Sequence, residues 1–166
     1  MISTRLTKFF DIEHPIILAP MTPAAGADLS TAVAAAGGLG LLGGGYGDRS
    51  WFEAESAKIT RNDVGCGFIT WSVAQQPELL DFAIEHHPRA IMLSFADPAP
   101  FAPRIKQARV PLICQVHTVD QGPTSRRRRG RCCRCPRHGS GRPRPNSPVD
   151  VAVRADGGGR SEQTCP

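Results

Sequence analysis

The sequence predicts an α/β fold, a parallel sheet covered on both faces or closed into a barrel, followed by a basic tail without structure. Three observations predict it. Short apolar runs begin near residues 15, 39, 64, 89 and 111, a spacing of 22 to 25 residues. Stretches with helical spacing and helix-end signals fill the intervals between them. Composition then changes abruptly after Gln121. Continuous apolar strands alternating with helices indicate strands buried on both faces, as in parallel sheets.

Taken in order, Pro15-Ile16-Ile17-Leu18-Ala19-Pro20-Met21 is an apolar run closed by proline and reads as a buried strand. Asp28-Leu29-Ser30 caps an alanine-rich helix over Thr31–Ala36, which Gly37-Gly38 stops. Leu39–Gly44 is the second strand. Ser50 opens a helix whose inward positions are Trp51, Phe52, Ala54 and Ala57. Val64–Trp71 is the third strand. Pro77 suits the first turn of a helix running to about His86, with Leu79, Leu80, Phe82, Ala83 and Ile84 on its apolar side. Arg89–Phe95 is a fourth strand, Pro100 to about Ala108 a fourth helix, and Pro111–Val116 a fifth strand.

The tail is a different polymer. Residues 1–121 hold 9 Lys and Arg against 12 Asp and Glu, whereas residues 122–166 hold 11 arginines against 3 acids. Residues 122–166 contain no Leu, Ile, Phe, Met, Trp, Tyr or Lys, and their sizeable aliphatics are Val149, Val151 and Val153. Such a segment buries too little apolar surface to offset its ordering entropy, so it is expected to be disordered. The chain has no run of 18 apolar residues, which excludes a spanning helix. Met1–Phe10 lacks the apolar centre of a secretory signal. Cys66 and Cys114 fall inside strands as small hydrophobes, no disulfide framework is visible, and a cytoplasmic location is expected.

In parallel α/β folds the functional groups gather where the strands end, because the following loops converge there. These ends read Ala19-Pro20-Met21-Thr22, Gly43-Gly44-Gly45-Tyr46, Gly67-Phe68-Ile69-Thr70-Trp71, Ser94-Phe95-Ala96-Asp97 and Gln115-Val116-His117-Thr118. Glycines and uncharged polar groups let backbone approach a flat cofactor closely. The composition of these ends suits holding a cofactor.

His14–Met21, Ala34–Gly40, Gly67–Trp71, Arg89–Phe95 and Pro111–Val116, in this order, resemble the nitronate monooxygenase family, formerly called 2-nitropropane dioxygenase. The resemblance covers about residues 10 to 121. It implies the first five strands or so of a TIM-type (β/α)8 barrel, FMN as cofactor, and oxidation of alkyl nitronates by dioxygen. A complete barrel of this kind takes roughly 250 residues, more than the 166 here. By resemblance Ala19, Pro20 and Met21 pass beside the isoalloxazine ring. Gly67 and Phe68 take the third-strand cofactor position, where many relatives have asparagine, and Gln115 lies near the flavin. The domain reading is therefore 1–121, the N-terminal part of an FMN-dependent barrel, and 122–166, an Arg/Pro/Gly/Cys-rich tail.

The family continues with a Gly-Thr-Glu-Ala-Gly-Gly-His segment bearing its catalytic histidine, and with glycine-rich loops for the FMN phosphate. Neither is present here. A shifted reading frame explains the break. Codons for Arg137-His138-Gly139-Ser140-Gly141-Arg142-Pro143-Arg144-Pro145, read one nucleotide later, can spell Gly-Thr-Glu-Ala-Gly-Gly-His-Gly. The histidine codon then lies beneath Pro143 and Arg144. As written, the chain is truncated, with little or no activity expected. His117 is the candidate general base left near the cofactor face, and its alternative is an ordinary polar loop residue.

Other signals have plainer readings. Gly38-Leu39-Gly40-Leu41-Leu42-Gly43, with Asp63 20 residues on, matches a dinucleotide fingerprint, but its glycines leave a helix and enter a strand, the reverse of that motif. Arg126–Arg131 lacks aromatics and a fold to position its charges, so it reads as a solvated run with nonspecific nucleic-acid affinity at most. Cys132, Cys133, Cys135 and His138 form one compact cluster rather than the separated pairs of a structural zinc site, and no metal is expected. His86 and His87 complement a helix C-terminus, and Trp71 packs or stacks at a strand end. The first functional reading is a nitronate monooxygenase-like flavoprotein. Its rivals are an NAD(P)H-dependent flavin reductase (enoyl or quinone reductase) on the same barrel and a noncatalytic basic nucleic-acid-binding protein. The expected partners are an alkyl nitronate and dioxygen, with no membrane.

Overall fold

The structure, a computed structural model, describes residues 2–116 and 150–154. Four parallel strands, β1 (Leu41–Gly43), β2 (Gly65–Ile69), β3 (Ile91–Ser94) and β4 (Leu112–Val116), lie side by side in chain order. Helices α1 (Arg5–Phe10), α2 (Ala27–Ala35), α3 (Arg49–Ser56), α4 (Thr70–Gln75), α5 (Pro77–Glu85) and α6 (Ala102–Gln107) precede or connect them. The α/β reading of residues 39–116 therefore holds. Among the described residues no helix is long and apolar enough to cross a membrane.

The strands are apolar at nearly every position because each face has its own core. Leu42, Cys66, Phe68, Ile91, Leu93 and Leu112 turn toward the helices and pack with Phe52, Val73, Leu79, Leu80, Ala83 and Ile105. Their alternates Leu41, Met92 and Ile113 turn the other way and pack with Phe10, Leu39 and Ala90. Phe10 reaches this inner core from α1, which a Thr4–Thr7 capping box starts. The Arg89 guanidinium donates to the Phe10 carbonyl and ties α1 to the strand side of the sheet.

Several boundaries differ from the sequence reading, each for a physical reason. The 15–21 strand contracts to a single parallel bridge, Ile17 to Leu39. Pro15 and Pro20 have no N–H to extend the ladder, and Ile16 is exposed. Helix α2 begins at Ala27, not Thr31, because its cap comes from far along the chain: Glu55 Oε2 accepts from the Ala27 N–H at 2.7 Å. Ser30 is instead buried inside that helix, its hydroxyl donating to the Gly26 carbonyl. Helix α3 is capped by Asp48, whose Oδ1 accepts from Trp51 N–H, so it starts before Ser50. On it Phe52 is buried and Trp51 half-buried, while Ala54 and Ala57 are exposed. The chain leaves β2 after Ile69 and coils into α4, since an unbroken apolar run carries no period to mark the change.

The expectation of an unstructured 122–166 fails at one place. Strand β5 (Asp150–Arg154) pairs antiparallel with β4, Leu112 opposite Arg154 through Val116 opposite Asp150. This is where the tail's β-branched residues alternate, and β4 offers it a row of ladder partners. The Arg126–Arg131 run, the Cys132–His138 cluster and His117 lie outside the described residues.

Candidate active site at the strand ends

Because β1 to β4 run parallel, all their C-terminal ends come together at one end of the sheet. The segment from Ala19 to Thr22 joins them there. Ala19 is exposed, Pro20 half-buried and Met21 63% exposed. Two glycines seat this segment. A Cβ on Gly67 would lie 2.3 Å from Pro20 Cγ, so only glycine lets Pro20 settle on β2. A Cβ on Gly43 would lie 2.8 Å from Thr22 Oγ1, so the same holds for Thr22 on β1. Thr22 Oγ1 is buried and has no hydrogen-bond partner. A buried hydroxyl left unpaired costs about 1–3 kcal/mol, which a hydrogen-bonding ligand would recover.

The next loop is held against the same point. Gly45, at φ +49, passes Thr22, and Gly47, at φ +89, passes Ser72 and Gln76. Tyr46 is thereby projected outward, 77% exposed, with its ring 5.9 Å from that of Trp71. Ser94 at the end of β3 is buried. Alternation along β4 puts half-buried Gln115 on the face of Ile113, the inner one. At the end of β3, Phe95 (φ +57) and Ala96 (φ +143) follow one another in conformations side chains disfavour.

The structure thus brings Ala19, Pro20, Met21, Gly67 and Gln115 to one end of the sheet. Phe68 comes there only through its backbone. Its ring turns into the helix-side core, 5.1 Å from that of Phe52, and fills the space a Cβ on Gly44 would need. Thr22 is the group that residue-type reasoning passed over. The signal for it was faint, a threonine directly after a proline-closed apolar run.

Ala19 and Met21, both exposed, the buried Thr22 hydroxyl and the inner-face Gln115 thus lie at the same end of the sheet. The rival motifs fare differently. Asp63 stands at the start of β2, the end of the sheet away from Gly43, and Arg61 occupies its carboxylate and holds it below the usual range. Glycines 38 and 40 follow α2 and enter β1, so no dinucleotide turn forms. Burial pushes the Cys66 thiol up, leaving it an inert core residue. His86 sits at the end of α5 with Nδ1 2.8 Å from the Phe82 carbonyl. Among the described residues no group of three His, Cys, Asp or Glu could hold a metal ion.

Two comparisons with solved structures return FabK from Thermotoga maritima. One has 24% identity and a TM-score of 0.63, covering 76% of this chain and 42% of that one. A methionine-to-alanine mutant of the same protein gives 26% identity and a TM-score of 0.62, covering 76% and 43%. This chain thus spans less than half the length of these structural relatives. No curated protein matches it. The description nitronate monooxygenase matches residues 3–114, more than half of the sequence and nearly all of the described parallel sheet. The chain belongs to the nitronate monooxygenase family.

Proposed function

We propose that the chain is the N-terminal part of an FMN-dependent oxidoreductase on a (β/α)8 barrel, acting on alkyl nitronates with dioxygen. The observation that carries this reading is the family match over residues 3–114, and the glycine-seated strand-end segment Ala19–Thr22 supports it. That segment lies within the match. In the proposed site Ala19, Pro20 and Met21 flank the ring, the Thr22 hydroxyl bonds a ring heteroatom, and the Gln115 amide approaches from β4. Gly67 and Phe68 act as positioning residues. Gly67 admits Pro20, and the Phe68 ring packs where a side chain on Gly44 would otherwise go. FMN, when bound, supplies the redox chemistry, accepting electrons from the carbanion-like substrate and yielding them to dioxygen.

We further propose that residues 122–166 are an out-of-frame translation of the barrel's remainder. The family match ends at 114, close to where the composition inverts. The missing histidine, encoded beneath Pro143 and Arg144 in the next frame, would hold or remove the substrate proton. The test has two parts. Nucleotide sequence across codons 119 to 146 should contain the Gly-Thr-Glu-Ala-Gly-Gly-His codons one position out of phase; DNA that cannot encode them sinks the frame proposal. A frame-restored protein should copurify with FMN and consume oxygen when given an alkyl nitronate, whereas the chain as written should retain little FMN. If the restored protein instead reduces its flavin with NADH and ignores nitronates, the flavin-reductase alternative replaces this one.

A further inference from the structure

Among the described residues β4 is the last parallel strand, and its sequence, Leu112-Ile113-Cys114-Gln115-Val116, contains no charge and no proline. A strand of that kind with an open edge is a template for pairing with another chain, because half of its N–H and C=O groups point outward. The opposite margin of the sheet is blunted. There β1 is followed by the Ile17 segment, which makes only one bridge and is bounded by Pro15 and Pro20. At the β4 margin the outward groups are taken by β5, in a five-residue antiparallel register from Leu112–Arg154 to Val116–Asp150.

We propose that β5 is an edge cap supplied in cis: by occupying the β4 margin it keeps two copies of this chain from pairing β4 to β4. The occupant it excludes is a second copy. Antiparallel pairing of two β4 strands about a two-fold axis is self-complementary, and so closes as a dimer. The effect requires only that Asp150–Arg154 take an extended conformation beside β4, whatever the coding origin of the tail.

The test is made on the full chain carrying Ala152→Pro and Val153→Pro together. Of two adjacent residues in a ladder, one directs its N–H at the neighbouring strand, so this pair of prolines removes at least one ladder bond and obstructs the register. Sedimentation velocity should give the wild type the mass of one 17.8 kDa chain at all concentrations. The double variant should move toward twice that mass as concentration rises, and a synthetic peptide of residues 149–155 should return it to one. Hydrogen exchange on the wild type should show protected amides along Ile113–Val116. A folded variant that remains monomeric overturns the proposal, as does a wild type that dimerises equally. Unprotected β4 amides overturn it regardless of how the variant behaves. A variant that loses its helical circular dichroism assigns β5 to the core instead, and overturns it too.

Discussion

Replacing Ala96 by glycine should stabilise this protein. Ala96 lies just past β3 with φ +143, directly after Phe95 at φ +57. Glycine visits that region freely, whereas an L side chain there costs on the order of 1–3 kcal/mol. The surroundings hold it in place. The Asp97 carboxylate accepts from the Ala99 N–H at 2.9 Å, and the Pro98 carbonyl accepts from Phe101 and Ala102 at the start of α6. Relief of the strain is opposed by the extra freedom glycine gives the unfolded chain, roughly 0.5–1 kcal/mol. The net gain is about 1 kcal/mol, which for a domain of this size raises Tm by about 4 °C. Thermal unfolding followed by circular dichroism reads it directly. Ala108→Gly is the control, because Ala108 has an ordinary φ of −74 and should only lose stability. If both glycine variants lower Tm by similar amounts, the strain at Ala96 is not present in solution and the reasoning fails.

Gly67→Ala should lower both stability and FMN affinity, since the new Cβ meets Pro20 at 2.3 Å and must lift the Ala19–Thr22 segment; overpacking of this kind costs about 1–3 kcal/mol, readable by denaturant titration alongside flavin fluorescence in the frame-restored protein. Thr22→Val should leave Tm unchanged or raise it, because it removes a buried hydroxyl with no partner, while weakening FMN binding about tenfold; unaltered affinity would take Thr22 out of the site. Glu55 is held below its ordinary value of 4.5 first by the Lys58 ammonium and then by the Ala27 N–H. A carboxylate with a lowered folded pKa stabilises the native state fully above the unfolded value, and that contribution disappears as pH falls through the folded one. Glu55→Gln should therefore flatten the decline in stability between about pH 5 and 3, measured by urea midpoints across that range.

The alternation of strands and helices was legible because each strand between residues 39 and 116 is apolar on both faces and each helix has an end signal nearby. Pro77 and the Leu79–Leu80 pair, for instance, locate α5 almost to the residue. Local signals misled where the deciding partner was distant. No window around Asp28 contains Glu55, yet Glu55 caps α2 and moves its start to Ala27. The proline-bounded run at 15–21 looked like a strand because apolarity was counted and missing N–H donors were not. That Ala19–Met21 and Gln115 stand at one end of the sheet followed from parallel topology, whereas their selection among the strand-end residues came from the family resemblance. The direction of the Phe68 ring followed from neither, because that depends on which of two alternating faces each residue takes. Gly43 and Gly67 fix it: side chains there would strike Thr22 and Pro20, so Phe68 must be turned to the helices. The strand at 150–154 was missed because composition averages over 45 residues hide one short alternation of valines.

This division of faces separates stability from chemistry. Among the described residues twelve form the helix-side core and six the inner one, so most apolar burial, at about 25 cal/mol per Å², lies away from the strand-end strip. The inner face can then spend its C-terminal positions on glycine, threonine and glutamine without unfolding the sheet. Leu80, fully buried on the helix side, is a position where truncation removes packing and leaves the strip intact. Thr22 is the reverse case, a group whose loss leaves the packing alone. Substitutions at the strand ends should therefore leave the helix-side core, and with it the sheet, in place.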